Sequence, residues 1–138
     1  ALGSYVHATG AVGALVVLSS ETDFVAKNEA FRALARELAM QVTATNPEFL
    51  RRDDITPAAE ATARAVFEAE VAAAADDKSE ALRREILEGK LTAYFKDKIL
   101  LEQNYIKDPE KTVADLIREA VQKFGERIEI SAFSRLSV

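Results

Sequence analysis

Cysteine and tryptophan are missing from the 138 residues, and histidine and methionine occur once each. Without cysteine there is no disulfide framework and no thiolate nucleophile, an economy that fits a reducing cytoplasm. With His7 as the sole histidine, there is no histidine pair, no zinc constellation and no Cys/His or Ser/His dyad with a spare base. No apolar run approaches the roughly 18 residues a membrane-spanning helix needs. No basic-led signal peptide is present either, so a membrane partner is not expected. No glycine-rich loop with P-loop spacing precedes a helix, so the chain does not itself cradle a nucleotide's phosphates. Basic residues are outnumbered, 18 Lys and Arg against 23 Asp and Glu, for a net charge of −5. That balance argues against the basic stripe of a direct nucleic-acid interface.

What is present is the composition of a globular protein, 49% hydrophobic and 30% charged. The length suits a single domain, expected over 1–138, with room for a useful core. The chain opens at Ala1 without methionine and is strand-like almost at once. It reads as a fragment or processed form with something N-terminal missing.

Three kinds of segment follow one another. Tyr5-Val6-His7 and Val12 to Leu18 read as two strands joined near Thr9-Gly10, a hairpin. Leu15, Val16, Val17 and Leu18 are all apolar, which predicts a strand covered on both faces. A helix is expected from Asn28 to Ala44, capped by Asn28, stopped at Asn46-Pro47, with Phe31, Leu34, Ala35, Leu38 and Val42 on one face. Thr56 and Pro57 open a second, alanine-rich helix to Ala75 with a thin apolar face of Val66, Phe67 and Val71. After an Asp76-Asp77-Lys78 loop, Ser79 caps a third helix through Leu82, Ile86, Leu87, Leu91, Tyr94 and Phe95, weakened by Gly89. These two helices suggest a projecting αα-hairpin. After Lys107-Asp108-Pro109, Thr112 and Asp115 form a capping-box-like start to a last helix, and Gly125 supplies its stop. A final strand is expected from Arg127 to Val138, with Ile128, Ile130, Ala132, Leu136 and Val138 on one face and Phe133 on the other. Strands and helices without βαβ alternation imply an α+β domain, a small antiparallel three-stranded sheet packed against helices.

Residue chemistry favours a binding module over an enzyme, and no cofactor is called for. The numerous carboxylates fall on helix surfaces, where a solvated face is the default. An enzyme would need a hidden pair of converging Asp or Glu residues. The most informative stretch is Thr22-Asp23-Phe24-Val25-Ala26-Lys27-Asn28. It sets an aromatic beside a carboxylate at a strand-to-helix junction. Phe24 there can pack inward, or stand out as a wedge for a partner.

That stretch resembles the signature of bacterial elongation factor Ts, the nucleotide-exchange factor family of the translational GTPase EF-Tu. Further matches run in the family's order. They include Gly3-Ser4-Tyr5-Val6-His7 leading to Gly13-Ala14-Leu15-Val16, Glu37-Leu38-Ala39-Met40-Gln41-Val42, and Leu100-Leu101-Glu102-Gln103-Asn104-Tyr105-Ile106-Lys107-Asp108-Pro109. Lys123-Phe124-Gly125-Glu126-Arg127-Ile128-Glu129-Ile130 closes the series. Three departures stand out. The family's small N-terminal helical domain is not in this stretch, an apolar-Gly pair that often begins with isoleucine is Phe124-Gly125, and a frequent histidine is Gln41.

The resemblance implies a function. Asp23 and Phe24 would be pushed between two helices of the GTPase domain, disturbing the elements that hold its Mg²⁺ ion and so releasing GDP. Thr22, Val25, His7, Phe124 and Gly125 complete the partner-binding set that the resemblance carries over. His7 is as readily an ordinary strand residue, and Phe124-Gly125 as readily a helix stop. Short family members of this kind pair as homodimers, with a twofold interface through the sheets as the expected geometry. The competing reading is a dimerisation or docking module that binds EF-Tu but, truncated, lacks exchange activity.

Overall fold

The computed structural model describes residues 1–138. Strands β1 (Leu2–Val6) and β2 (Val12–Ser19) form the expected hairpin, with Gly10 at its turn in the left-handed region (φ 72°). A single helical turn, α1 (Asp23–Ala26), leads into α2 (Glu29–Thr45). The two long helices α3 (Pro57–Ala74) and α4 (Glu80–Lys96) follow. Then come β3 (Asn104–Tyr105), β4 (Asp108–Thr112), α5 (Val113–Phe124) and β5 (Glu129–Ser137). The main sheet is antiparallel, three-stranded, in the order β1-β2-β5. The α+β architecture expected from the sequence is therefore the one observed, with helices on one face.

Each helix starts where a side chain satisfies the orphan amides of its first turn. The side-chain oxygens of Asn28, Thr56, Ser79 and Thr112 all accept from backbone amides two or three residues on. At α5 the box is reciprocal, for the Asp115 carboxylate accepts from the Thr112 amide at 2.9 Å. That amide, and then the Thr112 hydroxyl, hold the Asp115 carboxyl below its ordinary range. Helix α2 ends at Asn46, whose φ of 49° is the left-handed conformation asparagine tolerates.

Phe31, Ala35, Leu38, Ala39 and Val42 of α2 are fully buried against Val16 and Leu18 of β2 and Ile130 of β5. Burial of each large side chain here contributes about 1.5–3 kcal/mol. Gly3 makes the approach of β1 to α2 possible, because a Cβ at that position would overlap the Ala35 carbonyl and lie 2.8 Å from the Arg36 amide nitrogen. A second, smaller cluster of Ala63, Leu91, Phe95 and Ile99 holds α3 to α4 at the root of the projecting hairpin. Helix α4 runs through Gly89 without interruption.

Three expectations need correction. The apolar run of β2 is not covered on both faces: Val16 and Leu18 are buried, whereas Leu15 and Val17 are exposed, because every helix lies on the other side of the sheet. In β5 the apolar residues do not share one face. The register steps from Leu18–Ile130 to Val17–Ala132, so Ser131 is an extra residue, a β-bulge that reverses the alternation. Ile128 and Ile130 thus face the core and Phe133 joins them, while Ala132, Leu136 and Val138 turn outward. On α3, Val66 is exposed, and Ala63 fills the place expected of it. Lys107-Asp108-Pro109, given no element in the sequence reading, supplies the turn and first residues of the β3–β4 hairpin.

A buried polar network ties that hairpin to α2. The Gln41 amide donates to Gln103 Oε1 (3.2 Å) and to the Asn104 carbonyl (3.0 Å), and its oxygen accepts from the Ile106 amide (2.9 Å). All of its capacity is met internally, as a fully buried amide requires. Nearby, burial and the Glu37 carboxylate push the Tyr105 phenol up to about 12.

Candidate functional site

The single turn of α1 is set by two caps in close succession. Thr22, in extended conformation (φ −123°, ψ 152°), accepts through Oγ1 from the Val25 amide at 3.3 Å. Three residues past Val25, Asn28 already caps α2, with Oδ1 accepting from the Ala30 amide at 2.8 Å. The chain between them therefore makes one turn and stops. Within it Val25 is inward, 6% exposed, and anchors the turn in the main core. Its neighbour Phe24 points the other way and is 86% exposed. Of the two options open for Phe24, inward packing is not the one adopted. Val25 is so deep that it supports the site from below and offers little surface of its own.

A carboxylate from the far end of the sequence pins the approach to this turn. Glu126 Oε1 accepts from the amides of Glu21 and Thr22, each at 3.0 Å. The Thr22 hydroxyl donates to the same carboxylate, at 3.2 and 3.1 Å from its two oxygens. In return Glu21 accepts from the Arg127 amide at 2.8 Å. The two segments clasp each other through four donors, three of them charge-assisted bonds into one carboxylate. Sequence reasoning reached Thr22 only as part of the family signature, and its capping role appears with the fold. It missed Glu21 and Glu126 because their partners lie 104 to 106 residues away.

The clasp brings Phe124-Gly125 close to the turn. Gly125 closes α5 in the left-handed conformation (φ 72°), with its amide on the Val121 carbonyl. Phe124 is half-buried and meets Phe31 edge to face, centroids 5.8 Å apart. It stitches α5 to α2 and keeps part of its ring at the surface beside the Lys123 ammonium.

His7 lies elsewhere. It follows β1 at the hairpin tip, exposed, its amide on the Val12 carbonyl and its Nδ1 3.2 Å from the Tyr5 hydroxyl. The length of β2 separates that tip from α1, roughly 25 Å at the rise of an extended strand. Thr22, Asp23, Phe24, Phe124 and Gly125 thus form one neighbourhood, and His7 is not in it.

No group of three or more His, Asp or Glu side chains is arranged to hold a metal ion. Where Glu60 and Glu88 converge, Arg64 sits between them at 2.7 Å from each, so the two carboxylates are tied up in a surface ion network. No helix is long and apolar enough to cross a membrane.

Comparison with known proteins agrees with the sequence signature. The family model described as elongation factor TS matches residues 1–138. Elongation factor Ts of Desulforamulus reducens is 40% identical over 132 residues, 96% of this chain and 60% of the relative. That of Thermodesulfovibrio yellowstonii is 40% identical over 135 residues, 98% of this chain and 66% of the relative. For Geobacter metallireducens the identity is 38% over 138 residues, 100% of this chain and 63% of the relative. The chain therefore spans less than two thirds of the length of the curated relatives it matches.

Proposed function

The chain belongs to the elongation factor Ts family, and from that premise we propose that it promotes GDP release from the GTPase EF-Tu in the cytoplasm. The observation that carries the reading is Phe24, a large apolar side chain held out in solvent by a turn fixed at both ends. Such a group loses little conformational freedom on docking, which is what makes a good interface anchor. Phe24 enters the GTPase domain as a wedge, and Asp23 hydrogen-bonds or repels at its edge. Phe124 and Gly125, carried on the same clasp, make a second contact beside it. The partner's Mg²⁺ and phosphate contacts are loosened and GDP leaves. No bond is made or broken in the chain, so it acts as an exchange factor and not as an enzyme. Linkage requires GDP to weaken the chain's grip by the same factor that the chain weakens GDP's.

The test is release of a fluorescent GDP analogue from EF-Tu in a stopped-flow instrument. Acceleration by the native chain supports the proposal. Binding without acceleration leaves the competing docking module, and absence of binding removes both.

We further propose that residues 1–138 form one domain that pairs as a twofold homodimer through the outer sheet face. Leu2, Val6, Leu15, Val17 and Leu136 are exposed on it side by side, Leu136 at 78%. Two such faces stack at about 10 Å in a sheet-on-sheet packing. A role for His7 at the partner then needs a separate contact or a second copy, given its distance from α1. Sedimentation equilibrium at micromolar concentration is expected to give twice the chain mass, and Leu136→Glu to give the monomer. A native monomer under those conditions would remove the dimer.

A further inference from the structure

We propose that Glu126 is a positioning residue for the wedge, and that its carboxylate sets Phe24 and Phe124-Gly125 at a fixed spacing so that they meet the GTPase as one rigid surface. This rests on the exchange reading above. Four observations lead to it. Oε1 collects the Glu21 and Thr22 amides at 3.0 Å each and also faces the Thr22 hydroxyl. Thr22 is the residue whose Oγ1 opens α1, so whatever orients Thr22 orients the turn that carries Phe24. Glu126 directly follows Gly125, the C-cap of α5, so the same side chain reports the position of that helix end. Finally, Glu126 makes no ion pair, and its carboxylate bonds the Glu21–Thr22 segment alone.

The arrangement is economical for a wedge. Apart from Val25, the α1 turn has little in the core, and one helical turn does not hold itself in water. The amides of Glu21 and Thr22 precede the helix and would otherwise point at solvent. Accepting them on a carboxylate rooted in α5 makes the direction of Phe24 a property of the main core instead of a mobile link. Reach matters more than charge in this role, because the acceptor must sit where three donors converge.

The experiment compares maximal GDP release rates with saturating chain for Glu126→Ala, Glu126→Gln and the pair Glu126→Ala/Phe24→Ala. Glu126→Ala is expected to lower the maximal rate by about ten- to a hundredfold, the scale set by a misplacement of an ångström. Glu126→Gln, whose amide oxygen reaches the same donors, is expected within about fivefold of the native rate, the gap between a charged and a neutral acceptor. In the double variant no loss beyond that of Phe24→Ala alone is expected, because a mispositioned wedge and a missing one cost the same. Melting temperature is read alongside, and should Glu126→Ala impair folding, Glu126→Asp withdraws the carboxylate by one methylene and is expected to lose rate similarly. A native rate in Glu126→Ala, or a loss that adds fully to that of Phe24→Ala, overturns the positioning role while leaving the exchange reading intact. Failure of the native chain to accelerate release overturns both.

Discussion

Phe24→Ala is expected to reduce GDP release from EF-Tu by about thirtyfold or more, the equivalent of the 2 kcal/mol that marks an interface hot spot. The argument has two halves. In the free chain the ring touches almost nothing, being 86% exposed, so its removal should leave the melting temperature within the roughly 0.5 kcal/mol range of ordinary surface substitutions. In the complex the same ring supplies the largest apolar surface of the turn. Thr22 capping α1, Val25 in the core and the Glu126 carboxylate are all untouched by the change. Loss of activity without loss of stability therefore points to the wedge and to nothing else. Stopped-flow release and a thermal melt of the same preparation decide it, and equal release by both chains would reduce Phe24 to a bystander.

Gly3→Ala carries the opposite signature, a collapse of stability with no chemistry involved. The added methyl would sit on the Ala35 carbonyl and 2.8 Å from the Arg36 nitrogen, backbone atoms in the middle of α2 that have nowhere to go. Overpacking against a side chain is relieved by a rotamer change, whereas overpacking against helix backbone requires the strand or the helix to move as a whole. A cost of about 3 kcal/mol is expected. In a domain whose total stability is of the order of 5–15 kcal/mol, that is a large share. Urea denaturation followed by circular dichroism measures it, with a midpoint shifted well below native and an unchanged slope. A midpoint like the native one would mean that β1 does not rest on α2 in solution.

Much of the frame was legible from local rules. Capping side chains announce their helices within three residues, so Asn28, Thr56, Ser79 and Thr112 marked the helix starts correctly. Asn46 and Gly125 marked two of the ends in the same local way. Period-two and period-3.6 patterns are also local, but they assign a face and not what covers it. That is why the apolar run of β2 was read as doubly buried when one of its faces meets solvent in the single chain. The bulge in β5 was illegible for a related reason. An extra residue is defined by the register against β2, a pairing across more than 100 positions that Ser131 itself does not encode. At the site, Phe24 and Gly125 declare themselves by residue type and place, whereas Thr22 enters only with the family signature. Glu126, a glutamate beside Arg127 just after a helix, looks like any solvated carboxylate until the fold sets it over the Glu21 and Thr22 amides.

The reversal at Ser131 also bears on how such a chain changes over generations. Before that residue Ile130 faces the interior, and beyond it the inward place passes to Phe133 and the outward one to Leu136 and Val138. The outward stickiness is therefore governed by parity, by whether the number of residues between the inner and outer halves of the strand is odd or even. Gain or loss of a single codon there would turn the outer leucine inward and the inner phenylalanine outward in one step, with Ile128 and Ile130 left in place. The outward leucine and the inward phenylalanine are thus coupled through one serine, so the outer face of the strand cannot change by such a step without the core changing with it.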